Sequence, residues 1–139
     1  MPPFLDALAL REVAVAASSA SSPRHPANLA CGCSKTNLAG WQSVPLSFDE
    51  AVLDDIGTLI PPGVDEPSYE EYLPAGTTYW TDDAPIAPHY FPYNRCTVSR
   101  CRECASVYLR YTEGGGYFVD RRIRALDAGR IVDIPLDGA

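Results

Sequence analysis

No lysine or arginine falls between residues 36 and 94 of this 139-residue chain, although ten aspartates and glutamates do. That absence makes the chain electrically bipolar. Residues 1–35 carry +1, residues 36–94 carry −10, residues 95–124 carry +4 with seven arginines, and residues 125–139 carry −2. Two readings follow. The acidic and basic stretches neutralise each other in the fold, or the acids form an exposed face for a basic partner.

Other absences narrow the field further. There is no uninterrupted run of about 18 apolar residues, which argues against a membrane span. The first 17 residues are mildly apolar, but Asp6, Arg11 and Glu12 interrupt them and no basic residue precedes them. A signal peptide needs a positive start and an unbroken apolar stretch, so the expectation is a cytoplasmic protein. The cysteine count is five, an odd number, which with no export signal argues against a disulfide framework. No nucleophile elbow, phosphate loop or zinc-ligand pair on a helix is present. Hydrophobic residues make up 46% and charged residues 21%, so the chain has the composition of one ordinary globular domain rather than of a disordered one.

The expected organisation is an N-terminal helical tail and linker over 1–26, then a single α+β domain over 27–139. Residues 4–16 fit a helix with Leu5, Leu8 and Val13 roughly on one side. The Ser/Ala/Pro stretch 18–26 reads as a flexible linker, leaving the helix loosely docked. Ser47-Phe48-Asp49-Glu50 has the form of a capping box. It predicts a helix near 48–57, with Phe48, Val52, Leu53 and Ile56 apolar and Gly57 ending it. Seven of the thirteen prolines fall within 61–92, beside Tyr69, Tyr72, Tyr79, Trp80, Tyr90 and Phe91. Proline removes a backbone donor, so this stretch is expected to wrap the domain, pinned by rings, with one helical turn at 69–73. Val107, Leu109 and Tyr111 alternate with Ser106, Tyr108 and Arg110, the period of a half-buried strand. Gly114-Gly115-Gly116 supplies a turn, and residues 117–123 return as the partner of an antiparallel hairpin. Short strands are expected at 41–46 and 131–134.

The cysteines fall in two short motifs. Cys101-Arg102-Glu103-Cys104 is a C-x-x-C, a spacing at which a tight turn presents two sulfurs to one tetrahedral ion. Cys31-Gly32-Cys33 is a shorter bite, with Gly32 permitting the bend. Two distant pairs closing one four-sulfur site follow zinc-ribbon logic, here with an excursion of roughly 60 residues between them. The expected cofactor is a structural zinc on Cys31, Cys33, Cys101 and Cys104. Arg95, Arg100 and Arg102 are placed in sequence to offset the −2 charge of a four-thiolate site. Cys96 is a candidate replacement for one ligand, or else a small buried hydrophobe. His89 and His25 are further substitutes. A redox C-x-x-C sits at a helix start, and this one lies between strands.

Three functions remain in view. The leading expectation is a non-enzymatic protein-binding module, such as an inhibitor or antidote, presenting Asp54, Asp55, Glu70 and Glu71 to a basic protein partner. The second is a nucleic-acid-binding zinc ribbon using Arg121, Arg122 and Arg124 beside Tyr108, Tyr111, Tyr117 and Phe118. Against it stands the overall charge of −7, which repels a polyanion. The third is an enzyme with Cys96 as nucleophile and His89, near Asp82 and Asp83, as base. A metal with four sulfur ligands has no open position for a substrate water, which disfavours catalysis at zinc.

The segment 91–96 (FPYNRC), the Cys101/Cys104 motif and residues 108–126 (YLRYTEGGGYFVDRRIRAL), together with 76–80 (GTTYW), 84–88 (APIAP) and the Cys31/Cys33 motif, resemble a group of small proteobacterial proteins with a C-x-C and C-x-x-C zinc-ribbon-like pattern. The resemblance implies a compact cysteine-dependent fold and no particular activity. Ala105 departs from the glycine that usually follows the second knuckle cysteine.

Overall fold

Alternation in the basic C-terminal third builds the centre of the molecule. In this computed structural model, which describes residues 2–20, 38–46, 48–103, 105–114 and 119–136, strands β4 (Val107–Gly114) and β5 (Val119–Ala125) form the predicted antiparallel hairpin. Tyr108 lies opposite Ala125, and Gly114 opposite Val119. Strand β3 (Thr97–Cys101) pairs with β4, β2 (Leu53–Thr58) pairs with β3, and the two-residue β1 (Gln42–Ser43) pairs with β5. The sheet is five-stranded and antiparallel throughout, in the order β1-β5-β4-β3-β2. With one α-helix against it, the protein is a small single domain of α+β type.

The period of two sends alternate residues to two cores. Val98, Val107, Leu109 and Tyr111 join Trp41, Ile86, Tyr93, Cys96 and helix α1 (Ala7–Ala20) in the larger one. Leu53, Cys101, Tyr108 and Ile123 join Leu38 and Phe48 in the smaller one.

Helix α1 is an integral layer, not a loosely docked tail. Asp6 Oδ1 accepts from the Ala9 amide at 2.8 Å, which satisfies one of the first-turn donors. Ala7, Leu10, Ala14 and Ala17 are buried at helical spacing, while Leu8 points to solvent. The buried face is therefore rotated from the expected Leu5/Leu8/Val13 side. Three alanines on that face let the helix approach the sheet closely. The arm before it is hydrogen-bonded to the β2 edge, with Leu5 N to Thr58 O at 3.0 Å and Thr58 N to Pro3 O at 2.9 Å. Gly57 makes this possible, because a Cβ there would lie 2.4 Å from Leu5 Cδ1. Of the predicted linker, 18–20 belongs to α1 and 21–26 lies outside the described residues.

The helix predicted at 48–57 is a single 3-10 turn, Glu50–Val52, followed by β2. Asp49 caps it by accepting from Ala51 N at 3.0 Å. Helical periodicity yields here because Asp54 and Asp55 register opposite Arg100 and Ser99 in the ladder and their carboxylates reach Arg102 and Arg110. The ladder and its charges outweigh a weak local propensity.

Residues 61–92 wrap the domain as expected, largely without regular structure, and no helical turn forms at 69–73. Arginines and rings hold the segment. Arg95 Nη2 donates to Pro67 O and Ser68 O at 3.0 and 2.9 Å, and Asn94 Nδ2 donates to Ser68 O at 2.8 Å. The expected strand at 131–134 reduces to one parallel bridge, Ile86 to Ile131. Among the described residues, no helix is long and apolar enough to cross a membrane.

Candidate functional site

Cys101 closes β3 at its buried end, 1% exposed, and the chain turns immediately after it. Ala105 N donates to Cys101 O at 2.9 Å, and Cys101 N donates to Ser106 O at 2.8 Å. Ala105 has φ +66°, the left-handed region where a Cβ is unfavourable. This is the position where the knuckle pattern carries glycine. Ala105→Gly is expected to raise stability by about 1 kcal/mol, or about 3 °C in Tm, read by thermal unfolding. A drop would show that the Cβ makes a compensating contact.

Cys31, Cys33 and Cys104 lie outside the described residues, as does His25. Among the described residues, no group of three or more His, Cys, Asp or Glu side chains is placed to hold a metal. Leu38, five residues after Cys33 in sequence, is buried in the same cluster as Cys101. Leu38 O accepts from Ala125 N at 2.7 Å. Of the three arginines expected near the ligands, only Arg102 sits on the turn. Arg95 is held by the wrapping segment, and Arg100, one residue from Cys101, faces the opposite side of the sheet.

The bipolar charge is partly neutralised in the fold. Glu50 Oε1 bridges Arg110 Nη1 at 2.8 Å and Arg121 Nη2 at 2.7 Å. Asp55 lies 2.9 Å from Arg110 and accepts from the buried Ser99 hydroxyl at 2.9 Å. Asp54 approaches Arg102 at 3.9 Å. Two of the four predicted partner-binding acids, Asp54 and Asp55, therefore face arginines of the same chain.

Glu70 and Glu71 are different. With Asp65, Glu66, Asp82 and Asp83 they are exposed, and among the described residues none of the six makes an ion pair. In sequence they lie within four residues of Tyr69 or Trp80, the two end rings of a continuous ladder. Tyr69 packs on Phe91 at 5.6 Å, Phe91 on Tyr111 at 6.0 Å, and Tyr111 edge-on against Trp41 at 5.0 Å. Trp41 stacks on Tyr79 at 6.0 Å, and Tyr79 meets Trp80 at 4.5 Å. The interior rings are buried or half-buried, while the end rings Tyr69 and Trp80 are 65% and 54% exposed. Arg95 sits over Tyr69 at 4.3 Å and Arg122 over Trp80 at 4.9 Å, fixing both ends by cation–π contact.

Sequence reasoning missed the hub of this arrangement. Arg124 is fully buried. Its Nε donates to Ala39 O at 2.9 Å, its Nη2 to Asp82 O at 3.1 Å and Ala84 O at 2.7 Å, and its Nη1 to the Tyr93 hydroxyl. The signal was present in the alternation: Arg124 is opposite Leu109, so it shares the core face. Beside it, Tyr79 and Tyr111 hydroxyls bond each other and both accept from Arg122 Nη1, at 3.1 and 3.3 Å. Asp120 accepts from Ser43 at 2.8 Å and from Arg122 at 3.1 Å, which holds its carboxyl below the usual range.

Burial pushes the Tyr79, Tyr93 and Tyr111 hydroxyls and the Cys96 thiol above their ordinary values of 10.0 and 9.0. Each raised group binds its proton more tightly folded than unfolded. Their contribution is thus intact below about pH 9 and is lost as pH climbs through the folded values. Urea midpoints are expected to fall steadily above pH 9, with the onset moved upward in Cys96→Ala. A midpoint flat to pH 11 would contradict the burial of these groups.

The other predicted constellations are not displayed as active surfaces. Cys96 is fully buried and its thiol donates to Pro92 O at 3.2 Å, which is the environment of a small buried hydrophobe and not of an exposed nucleophile. His89 is exposed and lies 2.9 Å from Asp133 rather than beside Asp82 or Asp83. Of the three arginines expected on nucleic acid, Arg124 is buried, Arg122 packs on rings, and the exposed Arg121 is paired with Glu50. Tyr108 and Tyr111 are core residues, and Tyr117 and Phe118 lie outside the described residues.

No protein-family model matches this chain, and neither a curated protein nor a solved structure does.

Proposed function

We propose that this protein is a non-enzymatic binding module for a basic protein partner, its fold closed by a zinc-ribbon-like site on Cys31, Cys33, Cys101 and Cys104. The observation that carries the binding role is the acidic rim: six exposed carboxylates without an ion pair among the described residues, each close in sequence to exposed Tyr69 or Trp80. Tyrosine and tryptophan supply large contact area at low entropy cost and dominate interface energetics. Carboxylates around them select a basic partner and accelerate encounter. An inhibitor or antidote that covers a basic surface, such as the nucleic-acid groove of a nuclease, fits this chemistry.

The metal reading has its own support. Cys33 is five residues from Leu38, a reach of at most about 18 Å, and Leu38 shares the Cys101 cluster. The left-handed Ala105, at the position where the knuckle pattern carries glycine, and the Ala105 N to Cys101 O bond support this reading. Four thiolates fill a tetrahedral zinc, so the ion would serve the fold and offer no catalytic position.

The binding role is tested with Glu66→Gln/Glu70→Gln/Glu71→Gln and with Trp80→Ala, using Glu12→Gln on helix α1 as a charge control. The rim variants should lose a salt-sensitive partner from affinity capture in cell extract, and the control should keep it. Identical capture profiles for all three proteins would remove the proposal.

A further inference from the structure

We propose a second, independent binding site: the cleft between helix α1 and the β2–β3–β4 face takes a short aliphatic carboxylate, of roughly six to eight carbons. Between Val13 and Ala17 the helix offers short side chains to the cleft. The result is an open cleft of about 220 Å³ walled by Val13, Ala16, Ala17, Ile56 and Val107. For scale, an engineered apolar cavity of about 150 Å³ stays dry and admits benzene. A short alkyl chain therefore matches both the size and the polarity of these walls.

Arg100 also lines this cleft, and it sets the ligand's other end. The arginines on β4 and β5 are used by the fold, whereas Arg100 makes no ion pair or hydrogen bond through its guanidinium among the described residues. Its direct cross-strand neighbour, Asp54, instead approaches Arg102. An exposed guanidinium without an ion pair among the described residues, beside an apolar wall, is complementary to a carboxylate carrying an alkyl tail, because the planar fork binds both oxygens. A neutral apolar molecule would leave that charge unused, and a bare small anion would leave the walls wet.

The test is a titration of the full chain with sodium octanoate, octanol and sodium butyrate, followed by methyl proton–carbon spectra. Octanoate should shift the methyl signals of Val13, Ala16, Ile56 and Val107, with octanol and butyrate each binding at least about tenfold more weakly. Arg100→Gln should weaken octanoate about tenfold and leave octanol unchanged. Ala16→Leu, a tolerated helix change, should fill the cleft and abolish both. Absence of shifts at several millimolar octanoate, or equal affinity for octanol and octanoate, would overturn the proposal. So would a concentration-dependent dimer that Ala16→Leu abolishes without any octanoate binding, which would mark the cleft as a self-association face.

Discussion

Arg124→Met is expected to cost about 4 kcal/mol of folding stability, seen as a large drop in the urea midpoint. The guanidinium is fully buried and holds Ala39 O, Asp82 O, Ala84 O and the Tyr93 hydroxyl at once. Methionine fills comparable volume but takes away all four donors at once, two of them inside the core, and each buried acceptor left short of a donor costs about 1–3 kcal/mol before relaxation. The loss should also loosen residues 82–84, which Arg124 ties to β5. Faster amide exchange there than in β3 would report this local release. A midpoint change equivalent to less than about 1 kcal/mol would show that the wrapping segment is held without Arg124.

Cys101→Ser is expected to lower Tm by about 10 °C and to make the protein indifferent to chelators. Two effects contribute and are separable. A serine hydroxyl in the cluster of Leu38, Phe48, Leu53, Tyr108 and Ile123 costs about 1–3 kcal/mol by burial alone. On the proposed zinc reading, the substitution would also remove a cross-link between the front of the chain and the β3–β4 turn, and metal-binding free energy would be lost as folding free energy. The wild-type protein treated with a strong chelator should fall toward the variant, and the variant should not respond. If chelator leaves wild-type Tm unchanged, the serine effect is burial only and the zinc reading fails.

Much of the central sheet was legible because its signal is the simple period of two. Residues 107–111 and 117–123 read as a hairpin, and β4 and β5 occupy that place. The prolines and rings of 61–92 read as a wrapping segment for the same local reason, that proline removes ladder donors. What failed was whatever depends on partners far along the chain. Residues 48–57 have a helix-like apolar spacing, yet Asp54 and Asp55 find Arg102 and Arg110, and β2 results. Gly57 looked like a helix end, but its lack of a Cβ serves Leu5. Helix α1 looked like a tail because its contact face is mostly alanine, a weak hydrophobic signal that becomes strong only against a flat sheet.

The candidate site divides in the same way. The acidic stretch was visible as a run without bases, but which acids are spent inside the fold was not. Glu50, Asp54 and Asp55 meet arginines from β4, β5 and the Cys101 turn, so the rim contracts toward Glu70, Glu71 and their neighbours. The basic hairpin looked like a surface for phosphates. Alternation instead turns Arg122 and Arg124 inward onto Tyr79, Tyr93 and Tyr111, where they fasten the wrap. Electrostatics in this protein therefore build the scaffold with the arginines and leave carboxylates at the rim.

The measurement that bears most directly on the proposed zinc-closed fold is native mass spectrometry with elemental analysis of protein purified from cells without added metal. One zinc per chain, lost in Cys101→Ser, is the predicted result. A wild-type chain that carries no metal and still gives the full cooperative unfolding transition would contradict it.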